Sequence, residues 1–508
     1  MKKESKKTLN PLKRLAGQTA IYGAGTILGR LINYLLTPFY IYILSQAEIG
    51  VFTEGYAYIA ILLVLLTFGM ETAIFKFAST EENKNKVFST AFLFVVMAIG
   101  GFWFIITAFA GNLAEILRYP THPEYVYWIG IIIGLDAISA IPMAWLRQQN
   151  QPKRFTGITL VNIFVNVGLN LFFFVYCRNQ YFQNEGATTG IVKLLYNHEI
   201  GVGYIFISNL IASFIKLVLC APIFLNIKLK FDPKLAGKMI AYSWPLIIAG
   251  IGFIINERID VIMLKFRSPV DNETAMKMVG IYGGCYKMAL LMSIFIQAYR
   301  FAAEPFFFSQ EKEKDSKKTY AKVMNYFVIL CCGLYLFVML YLDVLKLIFI
   351  PRAEYWEGLK IVPIIMMANL FLGLYINLSM WYKLSGQTMF GAWFSILGAV
   401  ITIILNYIFI PKFGYMAAAW TTLFTYFVMV FVSYKTGQKY YKIPYNVRKI
   451  TLYILSATAL GMLSRWIHLE NWKQILILNS LFFIPFLFIV YQLEPNIKTF
   501  INRKILKR

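Results

Sequence analysis

Several charged side chains lie inside stretches of the sequence that are otherwise apolar. Arg30 stands near the middle of the run 21–40, and Arg258, Lys287 and Arg300 stand in two later runs. A charge at the centre of a membrane helix costs about 2.5–3.5 kcal/mol on insertion scales, so each one needs a reason. Arginine can bind phosphate through two parallel hydrogen bonds and stays ionised at any depth. These four cations therefore predict a binding site for a phosphate-bearing anion.

Acidic residues in the same runs are candidate charge partners or ion-coupling groups, namely Glu71, Asp136, Asp260 and Glu304. Glu304 follows Arg300 by four residues, which places both on one helix face, where they can pair. Asp260 could neutralise Arg258 or Lys287, whose charged ends could instead extend outward to water. Glu71 or Asp136 could pair with Arg30.

Side chains for other kinds of chemistry lack the spacing that such chemistry needs. The histidines His122, His198 and His468 fall in connecting segments, and no zinc-binding motif such as HExxH occurs. The five cysteines lie in or at the ends of apolar runs, as small buried hydrophobic residues do. The chain contains no Walker-type phosphate loop. The sequence therefore predicts no catalytic residue, no metal site, no cofactor and no direct use of ATP, and we do not expect an enzyme.

The elements that carry these charges belong to a membrane protein. Of the 508 residues, 59% are hydrophobic and only 15% are charged, and the mean hydropathy is +0.61. A soluble domain of this size could not bury so much apolar surface. The net charge of +24 sits mostly in short segments between apolar runs, which argues against nucleic-acid binding and for a polytopic chain.

Apolar runs of spanning length recur from end to end and predict fourteen spans, of which the first is an uncleaved span and not a signal peptide. They cover 15–44, 52–75, 87–110, 125–145, 156–177, 202–225, 239–264, 279–303, 322–348, 359–380, 388–410, 414–434, 449–468 and 475–492. Lys and Arg residues in the segments on the same side of the membrane as the N-terminus outnumber those in the loops on the other side by more than three to one. The positive-inside rule therefore places both termini in the cytoplasm.

An internal repeat relates spans one to six to spans seven to twelve. Three ordered matches support it: Gly50-Val51-Phe52 with Gly280-Ile281-Tyr282 at an offset of 230, Gln151 and Asn170 with Gln387 and Asn406, and Gly203-Tyr204 with Gly414-Tyr415. Because six is an even number, two copies of six spans have parallel topology, and this repeat arrangement is found in transporters. We expect an all-α protein with two six-helix bundles around a central cavity. The predicted parts are an N-terminal lobe at 1–228, a C-terminal lobe at 229–438 and an extra helix pair with a basic tail at 439–508.

Three segments resemble the polysaccharide-repeat flippases, of the O-antigen or capsule type, in the MOP transporter superfamily. They are LAGQTAIYGAGTILGRLINYLLTPFY, AEIGVFTEGYAYIAILLVLLTFGMETAIFKF and QAYRFAAEPFFF at 297–308. The resemblance implies alternating access between inward-open and outward-open states. It implies a cargo of undecaprenyl diphosphate bearing an oligosaccharide repeat unit, moved from the cytoplasmic to the outer leaflet of the bacterial inner membrane.

The same resemblance implies roles for the buried cations and for partners. Arg30 would hold the diphosphate at mid-membrane, while Arg258 and Arg300 would receive or release it and the lipid tail would stay in the bilayer. Partners would be the lipid-linked oligosaccharide, membrane lipids, a polysaccharide polymerase and other assembly proteins. Translocation could use H⁺ or Na⁺ antiport or the membrane potential.

Three other functions remain open from the sequence. A MATE-type drug exporter should have an acid-rich central site, whereas the most central charge here is Arg30. A lipid II flippase differs mainly in its cargo. A membrane-embedded polysaccharide polymerase or ligase should carry catalytic residues on a sizeable outer loop, and the longest outer connection here, about 178–201, holds few ionisable residues.

Overall fold

The chain folds as an all-helical membrane protein. The computed structural model describes residues 27–29, 31–32, 34–186, 190–311, 313–466, 472–495 and 498–499, and these contain no β-strand. Eleven helical segments among them are long and apolar enough to cross a membrane, and Ile27–Ile43 and Leu478–Leu493 are shorter apolar helices. The predicted all-α polytopic fold is confirmed, while the count of fourteen spans stays a prediction.

The helices are numbered in chain order. They are α1 (Ile27–Ile43), α2 (Gln46–Thr67), α3 (Met70–Thr80), α4 (Lys84–Ile116), α5 (Glu124–Gln148), α6 (Pro152–Leu171), α7 (Arg178–Gln183), α8 (Gly190–Leu195), α9 (Gly203–Leu225), α10 (Pro233–Arg267), α11 (Asn272–Gln310), α12 (Ser316–Leu340), α13 (Leu342–Phe349), α14 (Val362–Leu378), α15 (Met380–Leu384), α16 (Met389–Phe413), α17 (Tyr415–Tyr440), α18 (Val447–Trp466) and α19 (Trp472–Leu493). A π-helical turn at Phe172–Cys177 joins α6 to α7, and 3₁₀ turns lie at His198–Ile200 and Ala353–Ile361.

One predicted span consists of two helices joined by a break. The span Gln46–Ser79 contains α2 and α3, and the break falls at Phe68 and Gly69, which both have left-handed backbone conformations with φ of 51° and 63°. At the other end of α2, Ser45 and Glu48 form a reciprocal capping box that satisfies the first backbone N–H groups. The capping box explains why the helix begins at Gln46.

The start of α10 is fixed by a carboxylate cap. Asp232 Oδ1 accepts hydrogen bonds from the backbone N–H groups of Lys234 and Leu235, and Pro233 occupies the first helical position. Lys86 Nζ lies 2.5 Å from Asp232 Oδ2. The hydrogen bond from Lys86, with help from the backbone donors, lowers the pKa of Asp232 to about 2.

The first of two compact units comprises Met1–Gly283 and Ser395–Ala418. Its most buried span is α5, which packs against α2, α3, α4, α6 and α9, and α10 packs against α2, α3 and α4. Large apolar side chains such as Phe104, Phe164 and Phe214 are exposed on its helices, as expected for surfaces that contact lipid tails.

The second compact unit comprises Gly284–Phe394 and Ala419–Arg508. Its most buried span contains α14, which packs against α12, and α12 also packs against α18 and α19. The carboxylate of Glu494 accepts hydrogen bonds from Lys449 Nζ at 3.1 Å and from Tyr453 OH at 2.9 Å, which ties α18 to the end of α19. The units are defined by packing and not by repeat symmetry, so the predicted lobe boundaries after residues 228 and 438 stay predictions.

Candidate functional site

The sequence-predicted site residues divide into three groups in the structure. Arg30, the predicted central anchor, lies outside the described residues. Arg300 and Glu304 lie together in a cleft of the second unit. Arg258 and the acids Glu71, Asp136 and Asp260 belong to the first unit, where each acid has hydrogen-bonding partners of its own, and Lys287 belongs to the second unit but does not line the cleft. The cleft therefore provides the clearest candidate site in the part of the chain that the structure describes.

The cleft is built from the last turns of α11 and the helices α14 and α15. Arg300 Nε lies 3.6 Å from Glu304 Oε2, so the predicted i,i+4 pair is present at the outer limit of an ion pair. Lys383 Nζ donates to Glu304 Oε1 at 2.6 Å. Lys383 was not among the residues predicted from the sequence, and it lies 79 residues beyond Glu304. Two cations and one carboxylate leave the cleft with a net positive charge.

A buried amide completes the cleft. Tyr299 OH donates to Asn377 Oδ1 at 2.7 Å, which fixes the orientation of the Asn377 side chain. Asn377 is only 3% exposed and lines the cleft, and its Nδ2 has no hydrogen-bond partner among the described residues. A buried donor without a partner costs about 1–3 kcal/mol. The cleft thus offers two cations and one unsatisfied neutral donor, which is a set that binds a multivalent oxyanion.

The three charged groups of the cleft remain accessible. The side chain of Arg300 is 53% exposed, that of Glu304 is 34% exposed and that of Lys383 is 27% exposed. A ligand can therefore reach the cations without unfolding the unit. Because Arg300 and Lys383 come from different helices, a ligand that binds both also joins α11 to α15.

Asp260 is a buried carboxylate held by neutral donors. It is 2% exposed, its Oδ2 accepts from Tyr282 OH at 2.5 Å, and its Oδ1 accepts from the backbone N–H of Val261 at 2.9 Å. Arg258, two residues earlier in α10, also acts on this carboxylate electrostatically. Lys287 is half-buried in the second unit. The predicted ion-coupling role of Asp260 stays a prediction.

The other two predicted acids form ion pairs within the first unit. Glu71 Oε2 accepts from Arg147 Nη2 at 2.8 Å, and Asp136 Oδ1 accepts from Lys216 Nζ at 2.6 Å. Both acids thus have cationic partners other than Arg30. Lys216 was missed, although a lone lysine inside the predicted span 202–225 is a sequence signal of the same kind as Arg30.

A second set of missed residues forms a polar cluster around a fully buried ion pair in the first unit. Lys265 Nζ donates to Glu54 Oε2 at 2.8 Å and to the Leu117 carbonyl oxygen at 2.6 Å, and both charged side chains are 0% exposed. Tyr58 OH donates to Glu54 Oε1 at 2.7 Å, and Tyr119 OH donates to Glu54 Oε2. Burial raises the pKa of Tyr119, so its hydroxyl stays a donor. The cluster fastens α2 to α10 and to the loop after α4.

The chain belongs to the family described as polysaccharide biosynthesis protein, whose match covers residues 15–310 and so more than half of its length. A solved structure of the lipid II flippase MurJ in an inward closed conformation is similar, with a TM-score of 0.62 and 16% identity over 93% of this chain and 99% of that chain. An inward-facing multidrug resistance MATE family transporter of the MOP superfamily has a TM-score of 0.61 and 12% identity over 87% of this chain and 98% of that chain. No curated protein sequence matches significantly.

The family match confirms the predicted family, and the solved structures confirm the predicted fold. A MATE in a straight conformation is also similar, with a TM-score of 0.59 and 12% identity over 88% of this chain and 97% of that chain. At such low identity the solved structures show a shared fold and not a shared cargo. The chain is therefore a polysaccharide-biosynthesis family member with a transporter fold.

Proposed function

We propose that the protein is a flippase that moves an undecaprenyl-diphosphate-linked oligosaccharide from the cytoplasmic to the outer leaflet of the bacterial inner membrane. The observation that carries the proposal is the cleft formed by Arg300, Lys383 and Asn377 in a chain of this family. Cationic side chains in a membrane-embedded unit favour an anionic head group, and a diphosphate is the anion that links lipid to sugar in such a cargo. The cleft would take the head group while the lipid tail stays in the bilayer.

Residue chemistry suits a ligand with several phosphate oxygens. The guanidinium of Arg300 presents several N–H donors in one plane, which matches two oxygens of one phosphate group. Lys383 adds a compact charge on a flexible side chain, which can follow the second phosphate. Asn377 Nδ2, which has no partner among the described residues, would supply a directional neutral donor. Arg30, Arg258 and Lys287 remain proposed contacts further along the path of the cargo.

The proposed topology places loading at the cytoplasmic face. The distribution of Lys and Arg over the loops assigns both termini and the last turns of α11 to the cytoplasmic side. The cleft would therefore meet a cargo made on the inner leaflet, and alternating access would release it outside. H⁺ or Na⁺ antiport, or the membrane potential at about 2.3 kcal/mol per charge per 100 mV, could drive the cycle. A polysaccharide polymerase and other assembly proteins are the proposed partners.

A leaflet assay tests the proposal. Cells lacking the protein would be complemented by wild type, by Arg300→Gln/Lys383→Gln, or by Lys435→Gln, each at equal abundance. Lys435 is an exposed cation on α17 outside the cleft, so its loss controls for the removal of a positive charge elsewhere in the unit. We expect the lipid-linked oligosaccharide to accumulate on the cytoplasmic face in the deletion and the double variant, and to reach the outer face with wild type and Lys435→Gln.

Other outcomes would select a different function. If the oligosaccharide reaches the outer face even in the deletion, the flippase proposal fails. Export of a cationic drug then becomes the function to test. If lipid II accumulates inside in place of the repeat-unit oligosaccharide, the protein is a lipid II flippase. A deletion that flips normally but fails to lengthen the polymer would indicate a polymerase or ligase.

A further inference from the structure

Glu304 lies where an anionic ligand of the cleft would bind. Each of its carboxylate oxygens faces one cation, with Oε1 at 2.6 Å from Lys383 Nζ and Oε2 at 3.6 Å from Arg300 Nε. We infer that Glu304 is a built-in counter-anion, which the diphosphate displaces on entry and which displaces the diphosphate again on release. This inference rests on the proposed function, because it names how the same site exchanges its ligand.

The enclosed space of the cleft is small while the Glu304 carboxylate lies between the two cations. Its volume is about 10 Å³, which is enough for roughly one water molecule. A diphosphate is much larger than one water molecule, so it can lie between the two cations only after the carboxylate has left. Glu304 can leave at small cost, because its side chain is 34% exposed and can turn toward water.

Glu304 satisfies the cleft only in part. Its two oxygens engage Lys383 and Arg300, and neither reaches Asn377 Nδ2, which has no partner among the described residues. A diphosphate has more acceptor oxygens than a carboxylate, so it can bind both cations and the amide together. The ligand therefore gains a hydrogen bond that the internal carboxylate does not make, and this difference favours exchange.

The counter-anion also explains how a site with two cations can stand empty. Arg300 and Lys383 near each other in a membrane-spanning unit would repel, and their charges would be poorly compensated in the absence of ligand. Glu304 reduces the net charge of the empty cleft to that of one cation. When the cargo leaves, the return of the carboxylate restores this state, so Glu304 promotes release as well as opposing premature binding.

Direct binding of pyrophosphate to the purified full-length chain tests the inference. Affinity would be measured by titration calorimetry for wild type, Glu304→Gln, Arg300→Gln/Lys383→Gln and the control Glu494→Gln. Glu494 is also a carboxylate paired with a lysine of the second unit, but it lies outside the cleft. We expect Glu304→Gln to bind about three- to tenfold more tightly than wild type, because one partly exposed competing ion pair is removed. Glu494→Gln should bind as wild type does.

The outcomes separate this inference from the proposed function. If wild type binds pyrophosphate and Glu304→Gln binds it equally or more weakly, the counter-anion role is overturned while the anion site stands. If wild type and Glu304→Gln both fail to bind pyrophosphate, as the double cation variant also does, the proposed site itself fails. Should Glu304→Gln not fold, Glu304→Asp replaces it: the shorter carboxylate reaches both cations less well, so binding should still tighten, and an unchanged affinity would overturn the role.

Discussion

The backbone of Gly280 in α11 lies against the backbone of Gly50 in α2. A Cβ built on Gly280 would stand 3.1 Å from the Gly50 amide nitrogen and would overlap the carbonyl oxygen of Gln46. A Cβ on Gly50 would in turn overlap the carbonyl oxygen of Met276. These two glycines are the ones that the repeat matches at an offset of 230. The contact thus joins two residues that the predicted repeat makes equivalent.

Replacing Gly280 by alanine should separate these two helices. The added methyl group meets backbone atoms, which cannot rotate away, so we expect a destabilisation of about 1–3 kcal/mol. The loss would be measured as a lower midpoint of thermal unfolding for the protein in detergent. Gly100→Ala in α4 is the matched control, because a Cβ there meets no atom within 4 Å and should be harmless. Equal midpoints for the two variants would contradict the close approach.

Loss of Lys265 should be severe, because it leaves the Glu54 carboxylate buried without its cation. Removing one partner of a buried ion pair typically costs about 3–5 kcal/mol. We therefore expect Lys265→Met to lower the unfolding midpoint strongly. The double variant Glu54→Gln/Lys265→Met removes both charges and should recover much of that loss.

The control for this buried pair is an exposed pair of the same residue types. Lys277 Nζ lies 2.7 Å from Glu273 Oε1, with side chains 46% and 72% exposed. Lys277→Met should change stability little, since water screens exposed ion pairs. A loss as large as that of Lys265→Met would show that burial is not what makes the Glu54–Lys265 pair important.

Arg300→Lys tests whether the cleft needs a guanidinium or only a positive charge. A lysine keeps the charge but lacks the planar set of donors that binds two phosphate oxygens. We expect outer-leaflet delivery to fall to a level between wild type and Arg300→Gln. Lys383→Arg should retain more activity, because that position supplies mainly charge. If Arg300→Lys equals wild type in the leaflet assay, two-point recognition by Arg300 is wrong.

Stability should depend on acid pH through Asp232 at the start of α10. The folded-state pKa is lowered to about 2, so the carboxylate stabilises the fold above its unfolded pKa of about 4. This contribution is lost as the pH falls from about 4 through about 2. Lys86→Gln removes the first cause of the shift and should flatten the dependence of unfolding midpoint on pH across that range. If the pH dependence of Lys86→Gln is identical to that of wild type, the Lys86–Asp232 pair does not lower the pKa of Asp232.

The fold and part of the cleft could be predicted because their signals are local in sequence. Apolar runs identify spans without knowledge of neighbours, and four residues between Arg300 and Glu304 place both on one helix face. The repeat likewise depends only on ordered matches, and its Gly50 and Gly280 are in contact. These features follow from helix geometry, which the chain specifies over a few residues at a time.

The partners contributed by distant helices could not be predicted in the same way. Nothing near Arg300 in the sequence indicates Lys383 or the amide of Asn377, since both arrive through the packing of α14 and α15 on α11. Lys265 falls one residue beyond the predicted span 239–264, whereas α10 continues to Arg267. Lys216 is different: its place within an apolar run was a readable signal that was overlooked.

The break at Phe68 and Gly69 divides the α2–α3 span into two separate helices. Helix α2 carries Gly50 and Glu54, and helix α3 carries Glu71. At the joint, the Gly69 carbonyl oxygen accepts from Ser243 Oγ at 3.2 Å and from backbone N–H groups of α3. Because a break stops tilt from being transmitted along a helix, we expect α2 and α3 to tilt separately about Phe68 and Gly69, so that the Gly50–Gly280 contact changes while the Glu71–Arg147 pair stays closed.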